Sequence, residues 1–424
     1  MKYGFLHTAA VSPALHVADC AYNTQQIIAA MRAQAVAGTK LLCLPEFTLT
    51  GYTCSDLFLQ ETLCRGAEDE HQILMPEAGR GGVGWPPVRH NGKLYNCAAV
   101  VSWGNCWALY PNPPAQLRRV LRAPPFLPGP KDAFEITFAG QRTLFGTNLL
   151  FACREMPAFV LGVEICEDLW APVPPSCSHA LAGATVVANL SASDETVGKA
   201  AYRRELVAGQ SARLLCGYVY ADAGHGESTT DMTFAAHNLI AENGTLLCEA
   251  EPFANGTAAT ELDLGRMVQE RIRNTTFVPD AAGYTTISFD LEVAEAPLTR
   301  FVSPTPFVPQ NDAARAERCE LILRIQAEGL AKRMEHTHAK CAVVGISGGL
   351  DSCPLVMPCR PRCWAVYPES LLPLPPPAWN YQAQSAPTRR FCAEALGVSF
   401  TEINITNTVE SHFADIGQDP HTYE

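Results

Sequence analysis

The chain has 424 residues, 47% of them hydrophobic, and a formal net charge of -12. That length supports two or three domains with proper cores. The acidic balance excludes a general nucleic-acid or membrane-surface binder, and no run of about 18 apolar residues is present to span a membrane. The 17 cysteines are scattered singly through apolar runs, as at Cys43, Cys97, Cys216 and Cys341. With no secretory leader evident at Met1–His7, this usage fits buried free thiols in a reducing compartment, and a cytoplasmic location is expected. Cys359 and Cys363 lack a second pair and do not make a zinc site.

In chain order, short β-branched runs alternate with helical stretches up to about residue 280. A helix is expected from about Asp19 to Ala37, with Ile27, Ile28, Met31 and Ala35 at helical spacing, followed by a strand over Lys40–Pro45. Further strands are expected over Phe159–Ile165, Ala184–Leu190 and Gly217–Ala221, with a helix from about Gly198 to Leu215 between the last two. Asn243-Gly244 reads as a hairpin turn. From 281 to 310 the pattern thins around Pro297, Pro304, Pro306 and Pro309 and reads as a linker. A helix follows from Asp312 to about Glu335, with Leu321, Ile322, Ile325 and Leu330 on one face, and then a strand over Cys341–Ile346. Two stretches, 103–130 and 353–390, are crowded with proline and arginine, lack any period, and do not read as folded protein.

The strand that ends near Gly345-Ile346 runs into Ser347-Gly348-Gly349-Leu350-Asp351-Ser352. Two glycines let backbone amides approach oxyanions, and a following helix would aim its positive end at them, so the loop suits the pyrophosphate end of ATP. Two residues of the first domain are candidates for chemistry. Glu46 closes a strand among apolar neighbours, where burial would raise its pKa and suit it to act as a general base. By itself it reads more readily as a capping or ion-paired carboxylate. Cys166 closes another strand before a turn, where a helix dipole could stabilise a thiolate, although a lone cysteine is more often buried packing.

Taken together, Pro45-Glu46-Phe47 and, about 120 residues on, Glu164-Ile165-Cys166-Glu167-Asp168-Leu169-Trp170 resemble the Glu–Lys–Cys site of the nitrilase superfamily. The resemblance extends through Asn189–Ser193, Tyr202-Arg203-Arg204, Ser211-Ala212-Arg213 and Gly224–Asp231. Joined to the Ser-Gly-Gly-Leu-Asp-Ser loop, the whole is similar to the glutamine-dependent NAD(+) synthetases. The fold this implies is α/β: a nitrilase-type α-β-β-α sandwich over 1–280, a linker over 281–310, and over 311–424 the N-terminal part of a Rossmann-like, parallel-sheet ATP-pyrophosphatase domain. By the same resemblance Cys166 would attack the glutamine amide and Glu46 would take the thiol proton and later activate water. Ser193 and Lys199 would hold glutamine, and Glu167 would shape the pocket. Ammonia would pass to the second domain, where Gly345, Ile346, Ser347, Gly348, Gly349, Leu350, Asp351 and Ser352 would cradle ATP, with Mg²⁺, while deamido-NAD(+) is adenylated. A homo-oligomer is implied, and neither nucleic acid nor membrane as a partner.

The sequence departs from the family at the third catalytic residue, a lysine that stabilises the oxyanion. Its place holds Tyr110-Pro111-Asn112-Pro113-Pro114, and Lys93 and Lys131 are misplaced. A family-like Leu-Pro-Asn-Tyr-Gly-Glu-Phe-Tyr-Glu-Arg-Arg-His-Phe can be encoded so that reading it two nucleotides late yields Ala115 to Phe126. A local frame slip, restored near Leu127, is therefore inferred, and the same diagnosis extends more weakly to Gly79–Pro87 and Cys353–Pro377. The family match resumes at Ala393–Val398 and His412–Pro420 and stops at Tyr423-Glu424, short of a complete synthetase domain. Little glutaminase activity and no NAD(+) synthesis are expected of the chain as written. The alternatives are a nitrilase-type amidase fused to another ATP pyrophosphatase, such as a tRNA-thiolating or an asparagine- or GMP-forming enzyme, and a non-catalytic remnant kept as a binding module.

Overall fold

A computed structural model describes residues 4–77, 82–84, 86–113, 126–228, 232–292, 298–309, 311–345, 363–368, 394–395, 398–403, 406–417 and 419. The chain divides into two compact units, Met1–Phe301 and Val302–Glu424. The first unit begins with β1 (Phe5–Val11), α1 (Cys20–Val36), β2 (Leu41–Cys43), α2 (Glu61–Leu74), β3 (Gly82–Gly84), β4 (Pro87–His90), β5 (Lys93–Ser102) and β6 (Asn105–Pro111). It continues with β7 (Phe134–Phe138), β8 (Gln141–Phe145), β9 (Leu149–Cys153), β10 (Val160–Ile165), α3 (Pro175–Leu181), β11 (Val186–Ser191), α4 (Lys199–Leu214) and β12 (Gly217–Asp222). Strands β13 (Leu239–Glu242), β14 (Thr245–Glu249) and β15 (Thr257–Asp263), helix α5 (Leu264–Arg273) and strand β16 (Thr285–Phe289) complete it.

These strands form two sheets, one in the order β15-β1-β2-β3-β5-β6-β8-β7, with β4 paired to β5, and one in the order β14-β13-β12-β11-β10-β9-β16. One apolar core lies between the sheets and under α1 and α2, drawing Leu6, Leu42, Val100, Val163, Ala188 and Val219 from facing strands. A second core lies between the other face of the second sheet and α3 and α4, with Val187, Tyr218 and Tyr220 packed against Ala180, Val207 and Leu214. The central strands β10, β11 and β12 are parallel neighbours and buried on both faces, so they read as continuous apolar runs. This is the α-β-β-α sandwich expected for the first domain. Asp19 caps α1 by accepting from Tyr22 N–H at 3.1 Å, and the turn between β13 and β14 has positive φ at Asn243 and Gly244, as a two-residue hairpin requires.

Two expectations need correction. The segment 281–310, read as a linker, supplies β16, which pairs parallel with β9 from Thr285↔Leu149 to Phe289↔Cys153. Thr-Thr-Ile-Ser-Phe alternates, so Ile287 and Phe289 turn to the core while their neighbours face outward. Thr299 and Arg300 then tie the chain back to this unit through Glu261 and Glu242, with Arg300 donating to Glu242 Oε2 at 2.7 Å. The stretch 103–130, read as unfolded, contains β6, which pairs with β5 and buries Cys106, Ala108, Leu109 and Tyr110. A strand covered on both faces shows no alternation, which is why its period was invisible. The frame-slip segment of this stretch lies outside the described residues, apart from Phe126.

The second unit carries α6 (Asp312–Thr337), β17 (Ala342–Gly345), β18 (Cys363–Pro368), β19 (Ser399–Ile403) and α7 (Thr406–Ile416). Its strands pair parallel in the order β17-β18-β19, the entry of a doubly wound sheet. Here too a strand, β18, falls inside a stretch (353–390) that reads as unfolded. Gly345 closes β17; Ile346, Ser347, Gly348, Gly349, Leu350, Asp351 and Ser352 lie outside the described residues.

In the first unit the backbone at Gly226 has a φ of +112°, and a Cβ built there would lie 2.0 Å from the carbonyl oxygen of Leu15. Gly226→Ala is therefore expected to lower unfolding free energy by on the order of 2–3 kcal/mol, since neither clash nor φ can relax locally. A urea titration of the chain measures this, and a change below about 0.5 kcal/mol would contradict it.

Candidate active site

Four strand ends meet at one edge of the sandwich. Glu46 follows β2, Cys166 follows β10, Ser193 follows β11, and Asp222 closes β12. Glu46 is held at both ends: its N–H donates to the Ser191 carbonyl at 3.2 Å, across from one sheet to the other, and its Oε1 accepts from Asn96 Nδ2 at 2.6 Å. Its Oε2 has no partner of good hydrogen-bond geometry, although the Cys166 thiol and the Ala192 amide lie near enough to favour the charged carboxylate. Burial outweighs them, and with the nearby Glu227 carboxylate it pushes the Glu46 pKa up to about 7.

Cys166 opens a 3-10 turn, Cys166–Trp170, directly after β10. Its φ is +46° and that of Phe47, beside Glu46, is +52°. Non-glycine residues in this region carry strain, and here it falls on both halves of the pair, where it re-aims the side chains out of their strands. The dipole-stabilised thiolate considered above is not what the structure holds. Burial, then the Glu46 carboxylate, then Asp222 push the Cys166 thiol well above its ordinary range, and only the Ala192 amide opposes them. One turn of 3-10 helix is too short to overcome a buried carboxylate beside the sulfur. The resting pair is a neutral thiol facing a carboxyl group poised near neutrality.

The other residues singled out in the sequence stand nearby. Ser193 is buried; its N–H donates to Asp222 Oδ1 at 2.8 Å, and its hydroxyl accepts from Arg203 Nη2 at 3.4 Å. Lys199, first residue of α4, pairs with Asp194 Oδ1 at 2.6 Å and sits 5.4 Å above the ring of Trp170, four residues beyond Cys166. Glu167 is half-buried in the first turn after Cys166. Where the resemblance expects a lysine, Asn112 is buried, its N–H bonded to the Asn96 carbonyl at 2.9 Å. Lys93 and Lys131 are both exposed.

Sequence reading missed three contributors. Asn96 fixes Glu46; its only signal was a polar residue inside the apolar run of β5. Asp222 carries the same strand-end signature as Glu46 and went unread. Glu227, which had no assigned role, accepts from Tyr52 N–H at 2.7 Å and from Thr53 N–H at 2.9 Å, holding the loop whose Tyr52 ring packs 6.2 Å from that of Phe47. Among the described residues no group of three or more His, Cys, Asp or Glu side chains could hold a metal ion, and no helix is long and apolar enough to cross a membrane.

A carboxyl and a thiol thus meet at the strand ends of a four-layer sandwich, the arrangement the resemblance led us to expect of an enzyme acting on carbon–nitrogen bonds. A family model for carbon–nitrogen hydrolases matches residues 8–271, and the chain belongs to that family. A second model, for NAD synthase, matches residues 322–423. Over 98% of its length the chain is 35% identical to the glutamine-dependent NAD(+) synthetase of Mycobacterium tuberculosis strain H37Rv and 25% identical, over 80%, to that of Saccharomyces cerevisiae. It spans 64% of the length of the mycobacterial relative and 50% of the yeast one. Among solved structures, a glutamine-dependent NAD(+) synthetase from Cytophaga hutchinsonii superimposes with a TM-score of 0.55 at 20% identity, covering 97% of this chain and 67% of that one. This likeness shows the shared fold.

Glu46→Gln tests the electrostatics in two ways. The Glu46 pKa, about 7, lies above its ordinary 4.5, so between those values the folded chain keeps a proton that the unfolded chain has lost. Stability from this group is whole below pH about 4.5 and declines as pH rises toward 7. Replacing it with a neutral amide is expected to stabilise the chain at pH 8 relative to pH 4, by on the order of 1–3 kcal/mol, in paired urea melts. The rate of Cys166 alkylation by iodoacetamide, followed on the Cys166 peptide by mass spectrometry, is expected to rise with a midpoint near pH 7. In the variant this step is expected to vanish; a midpoint unchanged by Glu46→Gln would show that another group activates the thiol.

Proposed function

We propose that the first unit hydrolyses the side-chain amide of glutamine. We further propose that the ammonia is used by an NAD synthase domain, the beginning of which is the second unit, to convert adenylated deamido-NAD(+) into NAD(+) with release of AMP. The observation that carries the reading is the pairing of the buried Glu46 with the half-buried Cys166, in a chain whose carbon–nitrogen hydrolase match is followed by one to NAD synthase. As Cys166 Sγ attacks the amide carbon, Glu46 accepts the thiol proton and passes it to the departing nitrogen, leaving a glutamyl thioester. Water, deprotonated by Glu46, then releases glutamate. A base with a pKa near neutrality serves both half-reactions, since it is neither fully protonated nor too weak to take the proton.

The pocket wall supports an amino-acid substrate. Lys199 and Asp194 present a cation and an anion side by side and partly exposed, the complement of an α-carboxylate and an α-ammonium. Ser193 adds a hydroxyl one residue away. ATP, deamido-NAD(+) and Mg²⁺ belong to the proposal for the second unit, whose ATP loop lies outside the described residues. Homo-oligomeric assembly is part of the same proposal.

The position that should carry an oxyanion-stabilising cation holds Asn112, so the glutaminase is proposed to be slow. Glutamate release is expected on the order of 10²–10³-fold below that of a lysine-bearing relative. Cys166→Ala is expected to abolish what remains. An enzyme-coupled glutamate assay on both proteins decides the matter: a wild-type rate equal to the relative's, or a Cys166→Ala rate equal to wild type, would overturn the assignment.

A further inference from the structure

Arg203 is the largest fully buried side chain of the first unit, and its cation has been drawn into the interior behind the candidate site. One nitrogen, Nη1, donates to Glu195 Oε2 and to His237 Nδ1, each at 2.8 Å. The other, Nη2, donates to Ser193 Oγ at 3.4 Å and faces Asp222 Oδ2 at 3.7 Å. Because His237 Nδ1 accepts, its proton sits on Nε2, which donates to Glu249 Oε1 at 2.6 Å. Glu249 in turn pairs with the half-exposed Arg204 at 2.6 Å, so the network runs from the surface to Ser193 and Asp222. Burying an arginine among carboxylates is not an efficient route to stability, since desolvation offsets much of the attraction. Such a network is better explained by what it holds in place.

What it holds is the loop after β11. Three consecutive residues are gripped: Ser193 by Arg203 at its hydroxyl and by Asp222 at its amide, Asp194 by Lys199, and Glu195 by Arg203. Lys199 and Arg203 stand one turn apart on α4, so the two cations share the face that meets this loop. We propose that Arg203 is a positioning residue that sets the loop Ser193–Asp194–Glu195 against Cys166 and thereby fixes the orientation of the bound amino acid. This rests on the glutamine reading above. Only a planar fork of donors reaches Glu195, His237, Ser193 and Asp222 together; a lysine ammonium is a point and satisfies a subset.

The test separates binding geometry from thiol reactivity. Cys166 of the full chain is alkylated by a glutamine-shaped chloroketone or by iodoacetamide, and each second-order rate is read on the Cys166 peptide by mass spectrometry. Arg203→Lys is expected to slow the chloroketone about tenfold while leaving iodoacetamide within about twofold, because the loop moves and the thiol does not. If wild type shows no preference for the chloroketone, the glutamine reading fails. If wild type prefers it and Arg203→Lys keeps that preference, or both rates fall together, the positioning role is overturned. Should Arg203→Lys not fold, Glu195→Gln decides the question by weakening the grip from the loop side with Arg203 retained. It is expected to lower the preference by about threefold, and less than multiplicatively in combination with Ser193→Ala. Unchanged preference in Glu195→Gln would likewise overturn the proposal.

Discussion

The hydrogen bond from Glu46 N–H to the Ser191 carbonyl joins the two sheets at the edge where the chemistry lies. Everything in the site is registered to it. Beneath it Cys43 packs fully buried between the sheets, its thiol 3.6 Å from the Asn189 carbonyl, and only a small side chain permits that approach. With β2 and β11 locked together, the residues that follow them, Glu46 and Ser193, are set relative to Cys166 after β10 and Asp222 at the end of β12. Sheet-on-sheet packing thus converts four separate strand ends into one constellation.

Three buried carboxylates lie at or near this site, and their environments assign them different work. Glu46 is raised toward neutrality by burial and left with one oxygen short of a good donor, which suits proton transfer. Asp222 is raised by burial to about 6, with Arg203, the Ser193 amide and Lys199 opposing, which suits a structural anchor. Glu227 takes three donors from Tyr52 and Thr53 and shapes the wall. The same functional group, a buried carboxyl, is placed as base, anchor and brace because hydrogen-bond supply differs, not because burial does.

The arrangement stands with Asn112 at the place where the resemblance expects a lysine. Asn112 directly follows β6, bonded through its backbone to Asn96 and Gly129. Glu46, Cys166, Ser193 and Asp222 are positioned by core strands, none of which includes Asn112.

The sequence by itself determined the sandwich, the strand–loop entry of the second unit, and the two residues most able to do chemistry. Periodicity marks the helices, while Glu46 and Cys166, each ambiguous alone, were singled out by the family resemblance of the segments around them. Tertiary structure alone decided the rest. That β6 is a strand follows from its burial between neighbours, which leaves no alternation to read, and β18 is defined by its parallel pairing with β17 and β19. That the Cys166 thiol is pushed well above its ordinary range follows from burial first, and then from Glu46 and Asp222, which approach it from distant strands. Asn96, Asp222 and Arg203 acquired their roles only when strands far apart in sequence were brought into register, since hydrogen bonding and desolvation act through space and leave no periodic mark along the chain.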